Sequence, residues 1–314
     1  MKLIFHSMEQ KPIIVLLAGP TASGKSKLAI KLSKVLNGEI VNADSMQVYK
    51  ELKILTSRPS SSDLKKIKHH LYGFVSVKKN FSSGTWLNIV TKKIESILKK
   101  RKVPILVGGT GLYFKALVDG LARVPNIPIP LREKIRKYHK KIGQEKFYSE
   151  LLKLDPKVKN FVLKSDNQRS IRAYEVKKFT KKSLYDWTEN TRPTFDPNLF
   201  QKFFIYPPKD LLLQQINLRI NRMFKQRVKQ EVKKFSKLRI HPDLSANKVI
   251  GLQEIKDHLV KKLTLTEVKN LIQIRTRQYA KRQFTWARGK MSSWKMINPK
   301  NYKDILIHLS ISCS

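Results

Sequence analysis

Cysteine is almost absent from this 314-residue chain: the one present is Cys313. That excludes a disulfide framework and a cysteine-built metal cluster, and it fits a reducing compartment. Acidic residues are scarce as well. Asp and Glu total 23 against 65 Lys and Arg, a formal net charge of +42. A chain so basic seeks a polyanion, and nucleic acid or an anionic membrane surface are the partners it suggests. A lysine-rich composition would raise the same number without touching RNA. Long apolar runs are missing too. The longest near the start, Ile13–Ala18, is far too short to cross a bilayer and lacks the features of a signal peptide. A soluble, cytoplasmic protein with no membrane partner is expected.

What is present is enough for a core, with 41% hydrophobic and 9% aromatic residues. The length suits one large domain or two modest ones. Residues 12–18 read as a strand apolar on both faces, and a glycine turn and a helix over about 25–37 follow. Leu28, Leu32, Val35 and Leu36 share a face of that helix, and Gly38 stands where its C-cap belongs. Residues 39–43 form a second strand, 86–100 a helix, and 103–107 a third strand that runs into Gly108-Gly109-Thr110-Gly111. This alternation predicts an α/β fold, an open parallel sheet flanked by helices, with ligands beyond the C-terminal strand edges. The proline-rich stretch 124–130 reads as a linker, and 131–182 as a basic helical insertion. A strand signal returns at 202–206, and a long basic stretch spans 275–290. The expected organisation is a core of 1–120 and 200–314, with an all-helical insertion domain over 121–199.

Gly19-Pro20-Thr21-Ala22-Ser23-Gly24-Lys25-Ser26 fits the phosphate-loop pattern, between a predicted strand and a predicted helix. Its glycines let backbone N–H groups curl round a phosphate, and the helix N-terminus adds partial positive charge. Lys25 would reach a terminal phosphate and Ser26 would hold Mg²⁺. Kinases, motor ATPases and GTPases all use such a nucleotide-binding loop, so it does not name a reaction. No later apolar strand ends in Asp, and no guanine-reading Asn-Lys-x-Asp occurs, which argues against hydrolysis-driven switching. Asp44, at the tip of the second strand, either accepts a proton from a nucleophile or caps a helix.

Seven segments in order resemble one family, the tRNA dimethylallyltransferases or tRNA isopentenyltransferases. They are the loop 19–26, Asp44-Ser45-Met46-Gln47-Val48-Tyr49, Thr56-Ser57-Arg58-Pro59, His69-His70-Leu71, residues 106–113, residues 166–176 and residues 276–288. The resemblance implies a P-loop NTPase-like fold and transfer of a dimethylallyl group from dimethylallyl diphosphate. The acceptor is the exocyclic N6 amine of the adenosine just 3′ of the tRNA anticodon. It makes Asp44 the general base and gives Thr110 a share in orienting the site. Gly19, Pro20, Thr21, Ala22, Ser23, Gly24, Lys25 and Ser26 hold the diphosphate with Mg²⁺, and Arg219 and Arg222 are its phosphate-binding arginines. For the anticodon stem-loop it assigns Asp44, Ser45, Met46, Gln47 and Thr110, with Arg132, Gln168, Arg169, Ser170, Ile171 and Arg172 in the insertion. The C-terminal part adds Lys281, Arg282, Gln283, Phe284, Thr285, Trp286, Ala287 and Arg288.

The basic stretch supports that assignment. From Val268 to Lys303 there are ten basic residues and no acidic one, and Arg277, Lys281 and Arg288 share a stripe at helical spacing. Trp286 and Phe284 either stack on bases or belong to the core. The chain departs from the family at Leu252 and Gln253, where a tyrosine and a basic residue are usual, with Lys248 nearby as a substitute. Lys68 replaces a common proline and Leu55 a glycine. Without the zinc finger of eukaryotic members, it reads as a bacterial-type enzyme acting as a monomer. The alternatives are a small-molecule or nucleotide kinase with Asp44 as base, and a non-catalytic RNA-binding protein.

Overall fold

The run Ile14–Ala18 stays apolar at every position because both faces of its strand are covered. Ile14, Leu16 and Ala18 enter one core, while Val15 and Leu17 enter another on the opposite side of the sheet. Later strands repeat this two-residue alternation. Leu106, Phe200 and Phe204 join the first core, and Ile105, Val107, Phe203 and Ile205 join the second.

The computed structural model describes residues 12–189 and 191–313, so the first eleven residues of the expected core lie outside it. Its first part runs β1 (Ile14–Ala18), α1 (Lys25–Val35), β2 (Gly38–Asn42), α2 (Ser61–Lys66), β3 (His69–His70), α3 (Ser83–Leu98), β4 (Val103–Gly108) and α4 (Gly111–Val118). A helical stretch follows: α5 (Ile129–Leu154), α6 (Asn167–Thr180) and α7 (Leu184–Glu189). The last part comprises β5 (Phe200–Ile205), α8 (Lys209–Lys225), α9 (Val228–Lys237), α10 (Leu252–Leu259), α11 (Leu265–Lys290), β6 (Lys295–Ile297) and α12 (Tyr302–Cys313). The six strands form one all-parallel sheet in the order β3-β2-β4-β1-β5-β6. This is the P-loop NTPase-like α/β architecture with its helical insertion.

The chain divides into two compact units, residues up to Val118 with Thr194 onward, and residues Asp119–Pro193. In the larger unit a third core gathers residues from α8 to α11 round the segment after β2. Ile216, Ile220, Val232, Phe235, Ile255 and Ile272 pack there against Val48, Tyr49, Leu52 and Leu55. The smaller unit, in which the described residues form helices and loops and no strand, packs Tyr148, Leu151, Val158, Val162 and Ala173 together.

Three local expectations change. Gly38 is no C-cap: Asn37 takes the left-handed turn with φ 48°, and Gly38 opens β2. A Cβ at Gly38 would stand 2.8 Å from both the Val103 carbonyl oxygen and Ile105, so glycine serves strand approach there. Val35 points outward, 45% exposed, and Ala29 joins Leu28 and Leu32 on the buried face of α1. Helix α3 starts three residues before Trp86, because the Ser82 hydroxyl accepts the Thr85 N–H and caps it.

Candidate active site and RNA-facing surface

Strand register sets the site. Ala18 pairs with Gly108, and Asn42 with Val107, so the turns after β1, β2 and β4 leave the sheet at one level. In the first turn, Gly24 (φ 86°) and Ala22 (φ 63°) are both left-handed, and the Ser23 N–H donates to the Pro20 carbonyl at 3.2 Å. A left-handed alanine is uncommon and marks a conformation imposed by its surroundings. Lys25, first in α1, folds back so that Nζ donates to the Pro20 carbonyl at 2.9 Å. Ser26 is exposed on the first turn of α1. The Ser23 hydroxyl is buried without a protein partner.

Asp44 caps no helix. Its Oδ1 accepts the Met46 N–H at 3.0 Å, closing a side-chain turn. Asn42 fixes its backbone from below: Asn42 Oδ1 accepts the Asp44 N–H at 2.9 Å, and Nδ2 donates to the Asp44 and Leu71 carbonyls, both at 3.0 Å. Thr110, beyond β4, accepts the Ser45 N–H at 2.8 Å and donates to the Ser45 hydroxyl at 3.1 Å. Its hydroxyl therefore holds the Asp44 turn in place. Gln47 donates through Nε2 to the Thr56 and Ser57 carbonyls at 2.9 and 3.1 Å.

Two side chains from distant helices complete this cluster. Arg219 on α8 donates through one guanidinium nitrogen to the Thr21 hydroxyl and through the other to the Leu55 carbonyl at 3.2 Å. Gln283 on α11 accepts the Thr21 N–H at 2.9 Å and donates to the Gly109 carbonyl at 2.8 Å. A Cβ at position 109 would lie 2.2 Å from the Gln283 amide nitrogen, so a larger residue there would displace that amide. A cavity of about 250 Å³ opens beside these loops, lined among others by Gly19, Thr110, Leu112, Tyr279 and Arg282.

Burial and a few charges set the electrostatics. Burial lowers the Lys25 pKa to about 8, with Asp44 opposing the shift and Arg219 adding to it. Burial also lowers Arg219, again against Asp44. The phenols of Tyr72, Tyr113 and Tyr279 are all raised, first by burial and then by the charge of Asp44. One carboxylate thus faces an ammonium, a guanidinium and three neutral phenols. This arrangement can hold an anion on the Lys25–Arg219 side and accept a proton at Asp44.

The residues assigned to RNA divide by exposure. Arg277, Lys281, Arg282, Thr285 and Arg288 are exposed on α11. Gln283 uses its amide on the two loops, which removes it from the outward set. Ala287 is buried, and the half-buried Trp286 ring packs against Gly111, where a Cβ would come within 2.3 Å. Phe284 is half-buried and stacks on Tyr206 with ring centroids 4.3 Å apart. Both aromatics pack against the first core, and Trp286 also lines the cavity beside the loops. Arg222 is exposed on α8, one helical turn after Arg219. Leu252 is buried in the third core, so its side chain cannot replace an RNA-contacting tyrosine. Lys248 is exposed and lines a second cavity of about 280 Å³ with Gln253, Arg275, Gln278 and Arg282.

Within the insertion unit, Gln168 and Arg169 are exposed, Ile171 and Arg172 half-buried, and Ser170 fully buried. Ser170 donates to the Asp166 carbonyl at 2.8 Å and accepts from Gln144, so its hydroxyl serves the helix. Arg132, Arg136 and Arg172 converge on the buried Glu175 carboxylate at 3.5, 3.5 and 3.6 Å. Sequence spacing alone relates Arg172 to Glu175; the arrival of Arg132 and Arg136 depends on α5 lying against α6. The inward roles of Gln283 and Glu175 carried no sequence signal.

The profile of the IPP transferase family matches residues 47–290. The tRNA dimethylallyltransferase of Pelagibacter ubique is 53% identical over 93% of each chain. That of Rickettsia massiliae is 42% identical over 91% of this chain and 79% of its own. Among solved structures, the tRNA isopentenylpyrophosphate transferase of Bacillus halodurans superposes with TM-score 0.69 at 28% identity, covering 96% of this chain and 97% of that one. A eukaryotic dimethylallyltransferase captured acting on tRNA reaches TM-score 0.79 at 26% identity, over 92% of this chain and 74% of its own. A match this long, with the phosphate loop, the Asp44 turn and the Thr110 turn meeting at one sheet edge, makes the chain a member of the tRNA dimethylallyltransferase family.

Proposed function

We propose that the protein transfers a dimethylallyl group from dimethylallyl diphosphate to the N6 amine of the adenosine 3′-adjacent to the anticodon in tRNA. The observation that carries this reading is the placement of the Asp44 carboxylate within electrostatic reach of Lys25 and Arg219. The phosphate loop receives the diphosphate, with Lys25 and Arg219 countering its charge and Thr21 held in place by Arg219. The flipped adenine enters from the Asp44 side. As N6 bonds to the allylic carbon, the carbon–oxygen bond breaks and diphosphate leaves. The amine proton passes to Asp44, which Asn42 and Thr110 keep aimed at the site.

The hydroxyl and loop amides at the start of α1 suit a hard divalent cation accompanying a diphosphate, here Mg²⁺. The exposed Ser26 hydroxyl at the helix start would hold it. Among the described residues no three His, Cys, Asp or Glu side chains gather to hold a metal by themselves, consistent with a cation shared with substrate. When bound, the ion offsets charge developing on the leaving diphosphate.

The exposed basic face of α11 and the insertion's arginines are the surfaces offered to the anticodon stem-loop. Asp44, Lys25, Thr110 and Arg219 all come from one chain, so a monomer is sufficient. No described helix is long and apolar enough to cross a membrane. The reading places the enzyme in the cytoplasm with its tRNA. Family membership disfavours the kinase alternative.

Incubation with tRNA and dimethylallyl diphosphate, followed by nucleoside mass analysis, tests the assignment. The expected product is N6-(dimethylallyl)adenosine at the position next to the anticodon. Phosphorylation of a small acceptor by ATP, without prenylated nucleoside, would overturn it.

A further inference from the structure

Glu231 lies on α9, outside every segment assigned above. Its Oε2 accepts the backbone N–H groups of Lys53 and Ile54 at 2.8 and 2.7 Å, and its Oε1 accepts that of Leu55 at 2.9 Å. Three consecutive amides on one carboxylate are charge-assisted bonds that fix the path of a loop. Val228, Val232 and Phe235 seat α9 in the third core, so the carboxylate is delivered from a rigid support. The same loop then presents its carbonyls to two site residues. The Leu55 carbonyl accepts Arg219 Nη2, and the Thr56 and Ser57 carbonyls accept Gln47 Nε2. Arg219 continues to the Thr21 hydroxyl in the phosphate loop.

We propose that Glu231 is a positioning residue for the diphosphate site, holding residues 53–57 so that the Leu55 carbonyl aims the Arg219 guanidinium at the phosphate loop. The path is a series of direct bonds: Glu231 to the Leu55 amide, the Leu55 carbonyl to Arg219, and Arg219 to Thr21. Arg219 needs such guidance because its long side chain sits in a buried place where its charge is disfavoured. A guanidinium with two fixed acceptors has little rotamer freedom left, and a preorganised charge stabilises a leaving group without rearrangement. The branch to Gln47 gives the same carboxylate a hold on the turn that carries Asp44. The inference rests on the reading of Arg219 as a diphosphate ligand.

Glu231→Gln keeps the volume but turns an NH₂ group toward at least one backbone N–H, so it cannot accept all three bonds. The test is calorimetric binding of inorganic pyrophosphate to the full chain without tRNA, for wild type, E231Q, R219A and the double variant, with circular dichroism as a check of folding. E231Q is expected to weaken pyrophosphate about three- to tenfold, and to add no further loss in the R219A background. E231D, which keeps the charge on a shorter arm, is expected to bind between E231Q and wild type, and it stands in for E231Q if that variant does not fold. Unchanged affinity in the folded Glu231 variant while R219A weakens binding would overturn the role of Glu231 alone, as would an equal loss with and without Arg219. Unchanged affinity in R219A would instead remove the reading of Arg219, and this inference with it.

Discussion

The carboxamide oxygen of Gln283 accepts the backbone N–H of Thr21 at 2.9 Å, joining residues 262 positions apart. The same side chain holds the Gly109 carbonyl at 2.8 Å. One glutamine on α11 therefore locks the turn after β1 to the turn after β4, the two turns that the proposed function sets round the diphosphate and its acceptor.

Replacing Gln283 with Ala removes both bonds and leaves the Thr21 N–H without its partner. Steady-state assays are expected to show kcat/KM for the prenyl donor falling about tenfold, with tRNA affinity nearly unchanged because this side chain faces inward. A loss of tRNA affinity at unchanged donor kinetics would return Gln283 to the RNA surface.

Asp44→Ala is expected to lower single-turnover prenyl transfer by about 10²–10⁴-fold, while filter-binding shows tRNA still held. Transfer at the wild-type rate would remove Asp44 as the base. Asp44→Asn keeps the acceptor oxygen for the Met46 N–H, so it separates loss of the base from loss of the turn.

On the proposed reading diphosphate binding depends on the Lys25 charge, and burial lowers the Lys25 pKa to about 8. Below that value the ammonium is present. Above it the amine is neutral and one attraction is lost. Pyrophosphate affinity is therefore expected to fall as pH rises through about 8, with proton uptake on binding just above that pH because the anion favours the charged form. A Lys25→Arg variant that remains folded is expected to show no such step, since guanidinium does not titrate there.

The exposed α11 residues Arg277, Lys281 and Arg288 are expected to give tRNA affinity a steeper salt dependence than pyrophosphate binding. Neutralising all three with glutamine is expected to reduce the slope of log affinity against log salt by about two to three. Equal salt slopes for tRNA and pyrophosphate in the wild type would dissolve the case for this stripe.

The local grammar of the site is legible in the amino-acid order. A strand, a glycine turn and a helix at 14–35 specify the phosphate loop, because that conformation depends on adjacent residues. Asp44 and Thr110 fall at strand ends for the same reason, and parallel pairing brings those ends level. Basic residues at helical spacing mark the outward face of α11. The family resemblance, by contrast, assigns Gln283, Ser170 and Ala287 to the RNA, and in the structure each side chain is turned to the protein itself.

The sequence by itself determined the parallel sheet, the order of its turns and the chemical groups at their tips, since these follow from periodicity, glycine and short-range hydrogen bonding. Tertiary structure alone decided which distant side chains hold those turns still. Arg219 reaches Thr21 across 198 residues and Glu231 reaches Leu55 across 176. Such partners share no pattern along the chain. Their meeting is fixed by how α8, α9 and α11 pack round a common core, where a small rotation of one helix would point the same residue into water.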